Sequence, residues 1–297
     1  MFRNPFHTFG LVLLLGLCVS CGKEPRVPAG AYGSAQVAFL AQGAAPSASL
    51  VTKADAVGLS DLDDDGFLVS CVNGAEGSDV QVWGNTLFSK SGIVWTGGKI
   101  WPLEDRSYRF YAVHPESYAL TVSPFGATVA ASTSDDIVVA YASDPVYKGT
   151  NALVFSHIFS RIGTVTVTAG NGYTVTGVSI RVVPKTGGTY NLRTGEWSSL
   201  SEGSAVAIAS GTGANANDLY LVPGTYEVLA SWTAATGAYS ETFTDCPVVF
   251  TAEAGHVATL AAELDGRGIS LSVSSEVADW DSADLLEDNP AYMSPES

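Results

Sequence analysis

The sequence is poor in cysteine, histidine and basic charge. Four cysteines and four histidines occur in 297 residues, and 14 lysines and arginines stand against 30 aspartates and glutamates, a net charge of −16. A chain this acidic, with no basic cluster, does not hold nucleic acid or an anionic lipid surface by charge. There is no G-x-S-x-G elbow, P-loop or dinucleotide fingerprint, and the histidines lie far apart without H-x-x-x-H or H-x-x-E spacing. These absences argue against an enzyme and against a bound cofactor. The N-terminal apolar run, Phe9 to Leu17, is too short to span a bilayer as a helix.

Two of the four cysteines stand close together, as Cys18-Val19-Ser20-Cys21. A redox C-x-x-C opens a helix after a strand, and no folded domain precedes this pair. Zinc would need a second ligand pair nearby, and the next cysteine is Cys71. With Arg3 and the apolar run ahead of it, the stretch resembles a bacterial lipobox. That implies a signal peptide over 1–20, cleavage between Ser20 and Cys21, and a palmitate-type acyl modification of Cys21. Acyl chains, at about 0.8 kcal/mol per buried CH₂, would hold such a lipoprotein on the outer membrane without a spanning helix.

From Cys21 onward the chain is rich in glycine, valine, threonine, serine and alanine, a composition suited to an all-β protein outside the cytoplasm. Residues 21–34 read as a flexible tether. In "SAQVAFLAQ" Ala35, Val37, Phe39 and Ala41 share one face, which predicts a first strand. The loop after it carries Lys53, an accessible place for proteolysis. Beyond it, "DVQVWGN", "RSYRFYAVHP", "DIVVAYAS", "GTVTVTAG", "YTVTGVSIRVVP", "DLYLVPGTYEVLASWT" and "GISLSVSSEV" are short strands marked off by Gly, Pro, Asn and Asp. No convincing amphipathic helix exceeds two turns. Such spacing predicts β-sandwiches. "SDPVYKGTN", residues 143–151, reads as the joint between an N-terminal domain over 35–147 and a C-terminal one over 148–280. Residues 281–297 form a tail with five acidic residues and two prolines.

Three constellations could carry chemistry. Asp61, Asp63 and Asp65 with Gly66 match the first half of a calcium loop, but its twelfth position is Val72, which favours a solvated acidic turn over a metal site. Six tryptophans suit sugar stacking, although in a sandwich they more often fill the core. Cys71 and Cys246 could oxidise to one bridge in an exported protein. The bland alternative is a buried free thiol at Cys71, because two distant cysteines rarely reach the ~5.5 Å Cα spacing a disulfide needs.

Taken in order, several segments resemble the fimbrillin family of Bacteroidales pilins. They are the lipobox cysteine, one strand and "SLVTKADAVG"; "KIWPLEDRSYRFYAVHP"; "DIVVAYASDP" before "NALVFSHIFSRIGTVTV"; "LYLVPGTYEVLASW"; and "EAGHVATLAAELD". The resemblance implies an all-β chain of two transthyretin-like β-sandwich domains in tandem, non-enzymatic and exposed at the cell surface in a fimbrium. It also implies assembly by donor-strand exchange. A trypsin-like protease removes the first strand and loop, 35–53, and a strand from another fimbrial subunit takes its place, so that the fibre can meet an adhesion ligand on a host or bacterial surface. Lys53 stands where the family's proteases commonly prefer arginine, and Pro290 and Pro295 make the tail a poor donor strand. The runner-up is a monomeric outer-surface glycan-binding lipoprotein that keeps its first strand.

Overall fold

The computed structural model describes residues 36–41, 66–75, 77–91, 94–101, 107–170 and 172–277, and every regular element among them is a strand. In chain order the first are β1 (Gln36–Ala41), β2 (Phe67–Asn73), β3 (Val80–Ser91), β4 (Val94–Ile100) and β5 (Tyr108–His114). They are followed by β6 (Thr121–Ser123), β7 (Gly126–Ala130), β8 (Val138–Ala142), β9 (Thr150–Leu153) and β10 (Ser156–His157). Next come β11 (Ser160–Ala169), β12 (Thr174–Val182), β13 (Lys185–Thr186), β14 (Thr189–Asn191), β15 (Glu196–Ser198) and β16 (Ser201–Glu202). The last six are β17 (Val206–Ala209), β18 (Gly213–Leu221), β19 (Gly224–Thr236), β20 (Tyr239–Ala252), β21 (His256–Leu264) and β22 (Ile269–Val277). The all-β expectation holds.

Eight strands of the first half join in the order β10-β8-β5-β2-β3-β4-β1-β9. β3 is long enough to serve two partners: residues 80–88 pair with β2 and Ser89–Ser91 with β4. The sheet folds back on itself there, because Phe67 of β2 meets Trp95 of β4 at 5.2 Å between ring centroids. Phe39, Phe67, Phe88, Trp95, Phe110 and Phe155 fill the space between the two halves. Along "DVQVW" Val80 and Val82 are exposed, while Trp83 turns inward onto Phe88 and Phe110. Two register shifts interrupt the β2–β3 pairing beside Cys71.

A third layer covers the opposite face of β2 and β5. It is a four-stranded sheet, β15-β14-β7-β6, whose strands come from both halves of the chain. Ala127, Val129, Leu192 and Val222 pack there against Val72, Tyr111 and Val113. β5 is therefore buried along six successive residues, Tyr108–Val113, with both faces covered.

The second half is a sandwich of two four-stranded sheets, β18-β11-β21-β22 and β17-β12-β19-β20. Strict alternation builds it. Tyr226, Val228, Ala230, Trp232 and Ala234 of β19 face Ala258, Leu260, Ala262 and Leu264 of β21 across one core.

Strand pairing runs across residue 147, where the sequence reading sets a joint. β9 pairs with β1 and β10 with β8, so residues 150–157 complete the first sheet before the chain crosses over. β14 likewise returns to pair with β7.

Candidate functional site: the seat of the first strand

β1 forms because its alternation suits a half-buried strand: Val37 and Phe39 are fully buried, while Gln36 is exposed. It lies inside the sheet rather than at its edge. On one side it runs antiparallel to β4, with Gln36 opposite Ile100, Ala38 opposite Thr96, Phe39 opposite Trp95 and Leu40 opposite Val94. On the other it runs parallel to β9, with Ala38 opposite Thr150 and Ala41 opposite Leu153. β9 has no other strand partner among the described residues.

The seat beneath β1 is aromatic. The ring of Phe39 lies 5.2 Å from Phe88 and 5.0 Å from Phe110. Gly97 of β4 makes room for this packing, since a Cβ there would stand 2.6 Å from the Phe88 ring. The far wall is held independently of β1. The Asn151 side chain accepts from Val146 N at 2.6 Å and donates to the carbonyls of Val146 and Gly149 at 3.2 Å each. Tyr147, in the same turn, packs on Trp101 and Tyr108. What this arrangement offers chemically is not a reaction but a slot: two ladders and two apolar sockets in which one extended segment fits.

Of the residues singled out in the sequence, Val37 and Phe39 fall in this slot, and Ala41 enters the β9 ladder. Ser20, Cys21, Ala35, Lys53, Asp61, Asp63, Asp65 and Trp280 lie outside the described residues. Trp95, Trp101 and Trp232 are buried in the cores, and Trp83 and Trp197 are half-buried. Both remaining cysteines are free; burial pushes the Cys71 thiol up to about 12. The three later histidines are dispersed: His114 contacts the Gly66 carbonyl at 2.8 Å, His157 lies 2.6 Å from Asp136, and His256 contacts Ala254 O at 2.9 Å. No group of three metal-ligating side chains occurs among the described residues.

The sequence reading missed a buried charge network on the other face of β5. Asp79 is fully buried and pairs with Arg109, while the Tyr111 hydroxyl donates to it at 3.0 Å. Arg109 also donates to Gly74 O at 2.9 Å, and Arg193 approaches Asp79 to 3.8 Å from the β14–β15 connection. Burial, aided by the bond to Asp79, pushes the Tyr111 hydroxyl well above the usual phenol range. No local spacing signals this cluster, because Asp79 lies 30 residues from Arg109 and 32 from Tyr111 in the chain.

The sequence profile of a family described as fimbrillin-like matches residues 51–280, a span that begins beyond β1. A crystal structure of a fimbrial protein from Bacteroides vulgatus is similar with a TM-score of 0.51 and 12% identity, over 75% of this chain and 99% of that one. A protein from Bacteroides uniformis, provisionally described as a cell adhesion protein, gives a TM-score of 0.45 and 15% identity over 72% of this chain and 92% of its own. One from Bacteroides ovatus, described in the same way, gives 0.44 and 16% over 72% and 87%. No curated protein matches the sequence. At these identities the first likeness speaks to the fold alone.

Proposed function

The chain belongs to the fimbrillin-like family, and from that membership we propose that it is a non-enzymatic fimbrial subunit of the bacterial cell surface, built to exchange its first strand. The precursor is a lipoprotein, cut between Ser20 and Cys21 and held on the outer membrane through acylated Cys21. Proteolysis after Lys53 frees β1, and a strand from another fimbrial subunit fills the vacated seat. The resulting fibre serves adhesion.

One observation carries this reading: β1 is the interior strand between β4 and β9 and buries Val37 and Phe39 completely. Its loss uncovers about 3–6 kcal/mol of apolar burial, at 1.5–3 kcal/mol for each large side chain. It also leaves two unpaired strand edges facing one another. An extended segment from a neighbour restores both at once, which is the energetic logic of strand addition.

The test is limited trypsin digestion, with intact mass and an unheated SDS gel as readouts. A single cut after Lys53, loss of the first strand and a ladder of SDS-resistant species are expected. A cut chain that stays folded and monomeric overturns strand-exchange assembly.

A further inference from the structure

Buried polar atoms in native proteins are almost always hydrogen-bonded, and each exception asks for an explanation. Two exceptions stand at one end of the β1 seat. The indole N–H groups of Trp83 and Trp101 are both buried and find no acceptor among the described residues. Trp101 is only 3% exposed.

Both indoles belong to the aromatic wall on which Phe39 rests. Trp83 packs on Phe88 and Phe110, the two rings that touch Phe39, at 6.0 and 5.9 Å between centroids. Trp101 meets Phe110 at 5.6 Å, Tyr108 at 6.0 Å and Tyr147 at 5.5 Å. Water is a poor partner for either N–H, since a buried water itself needs about two to four polar neighbours and these donors stand among rings.

The β1–β4 ladder shows from where an acceptor can reach Trp101. Gln36 stands opposite Ile100, so the next place back along that ladder falls opposite Trp101. Gln36 is exposed and Val37 buried, and strand alternation turns that next place inward. Two cations stand at the same end. Lys99 Nζ, on β4, is 6.0 Å from the Trp83 ring centre, and Lys148 Nζ, from the turn before β9, is 5.1 Å from that of Tyr147. Two unmet N–H donors and two positive charges thus gather here, in a chain whose net charge is −16.

The geometry points to a third socket in the seat, polar where the Val37 and Phe39 sockets are apolar. It selects an incoming strand that carries a carboxylate two places before its aliphatic anchor and four before its aromatic one. The carboxylate accepts from the Trp101 indole, a charge-assisted bond, and its charge is matched by the lysines at that end. The inference rests on the strand-exchange reading and adds to it the chemistry by which one neighbouring subunit is chosen over another.

The full chain, nicked after Lys53, is mixed with synthetic peptides, and their incorporation in place of the freed segment is read by native mass spectrometry. A peptide of residues 33–41 should enter. Ala35→Glu in that peptide should raise its incorporation about tenfold or more, as expected of a hydrogen bond to a charged group. Gln36→Glu, which sets the same charge on the exposed face, should not. Trp101→Phe in the protein keeps a large ring and removes the N–H, and should abolish the advantage of the Ala35→Glu peptide. The Gln36→Glu peptide keeps the test decisive if the Trp101→Phe protein misfolds. An Ala35→Glu peptide that enters no better than the parent peptide overturns the inference, as does an advantage shared by Gln36→Glu or retained in Trp101→Phe. If no peptide enters, the parent included, strand exchange itself is overturned, and the third socket with it.

Discussion

Phe39 and Phe110 meet edge to face, with ring centroids 5.0 Å apart and planes at 83°, although four strand positions separate their strands in the sheet order. The contact exists because the sheet folds over. It places β1 directly on β5, the most deeply buried strand of the first half.

Replacing Phe39 by alanine should therefore destabilise the intact chain by about 3–5 kcal/mol, the usual range for a large aromatic in a closed core. Protein trimmed after Lys53 should be indifferent to the same substitution, because the residue leaves with β1. Denaturant midpoints measured before and after trimming check both halves of this expectation.

Lys53→Gln should abolish the trypsin cut that frees β1, and with it the SDS-resistant ladder. A ladder that persists in this variant would place the releasing cut elsewhere.

Asp79→Ala should cost about 3–5 kcal/mol, because it leaves Arg109 and Arg193 buried without their counter-charge. The damage should reach the β14–β15 hairpin, since Arg193 comes from that connection. Hydrogen exchange over residues 189–198, faster in the variant than in the parent, is the readout.

Alkaline pH should unfold the chain by a route with a definite sign. Burial pushes the thiol of Cys71 from 9.0 to about 12, and burial lifts the hydroxyls of Tyr220 and Tyr226 from 10.0 to about 12. Between the ordinary and the raised values the unfolded chain has lost protons that the native chain keeps, so stability falls as pH rises. Stability should be insensitive to these groups below pH 9 and decline from there towards 12. Cys71→Ala should soften the onset of that decline, as monitored by circular dichroism.

Much of the architecture was legible in the sequence wherever one face of a strand is wet. Val37 and Phe39, Val165 and Val167, and the alternating residues of "TYEVLASWTAA" all point inward as their period of two requires. The first strand of the candidate site was visible for the same reason. The reading failed where that signal is local but the outcome is not. "RSYRFYAVHP" disclosed one buried face of β5 but not the second, because a strand covered on both sides has no polar face to mark its pairing.

By itself, then, the sequence determined that this chain is all-β, which residues of most strands face a core, and which family's order of segments it shares. Those properties are written in short-range alternation and turn residues, which each strand carries alone. Tertiary structure decided that β1 lies between β4 and β9, that β14 crosses back to cover the first half, and that Asp79 collects Arg109 and Arg193. These are pairings between residues distant in the chain, chosen by which surfaces bury one another and which buried charges must be matched, and no local period encodes that choice.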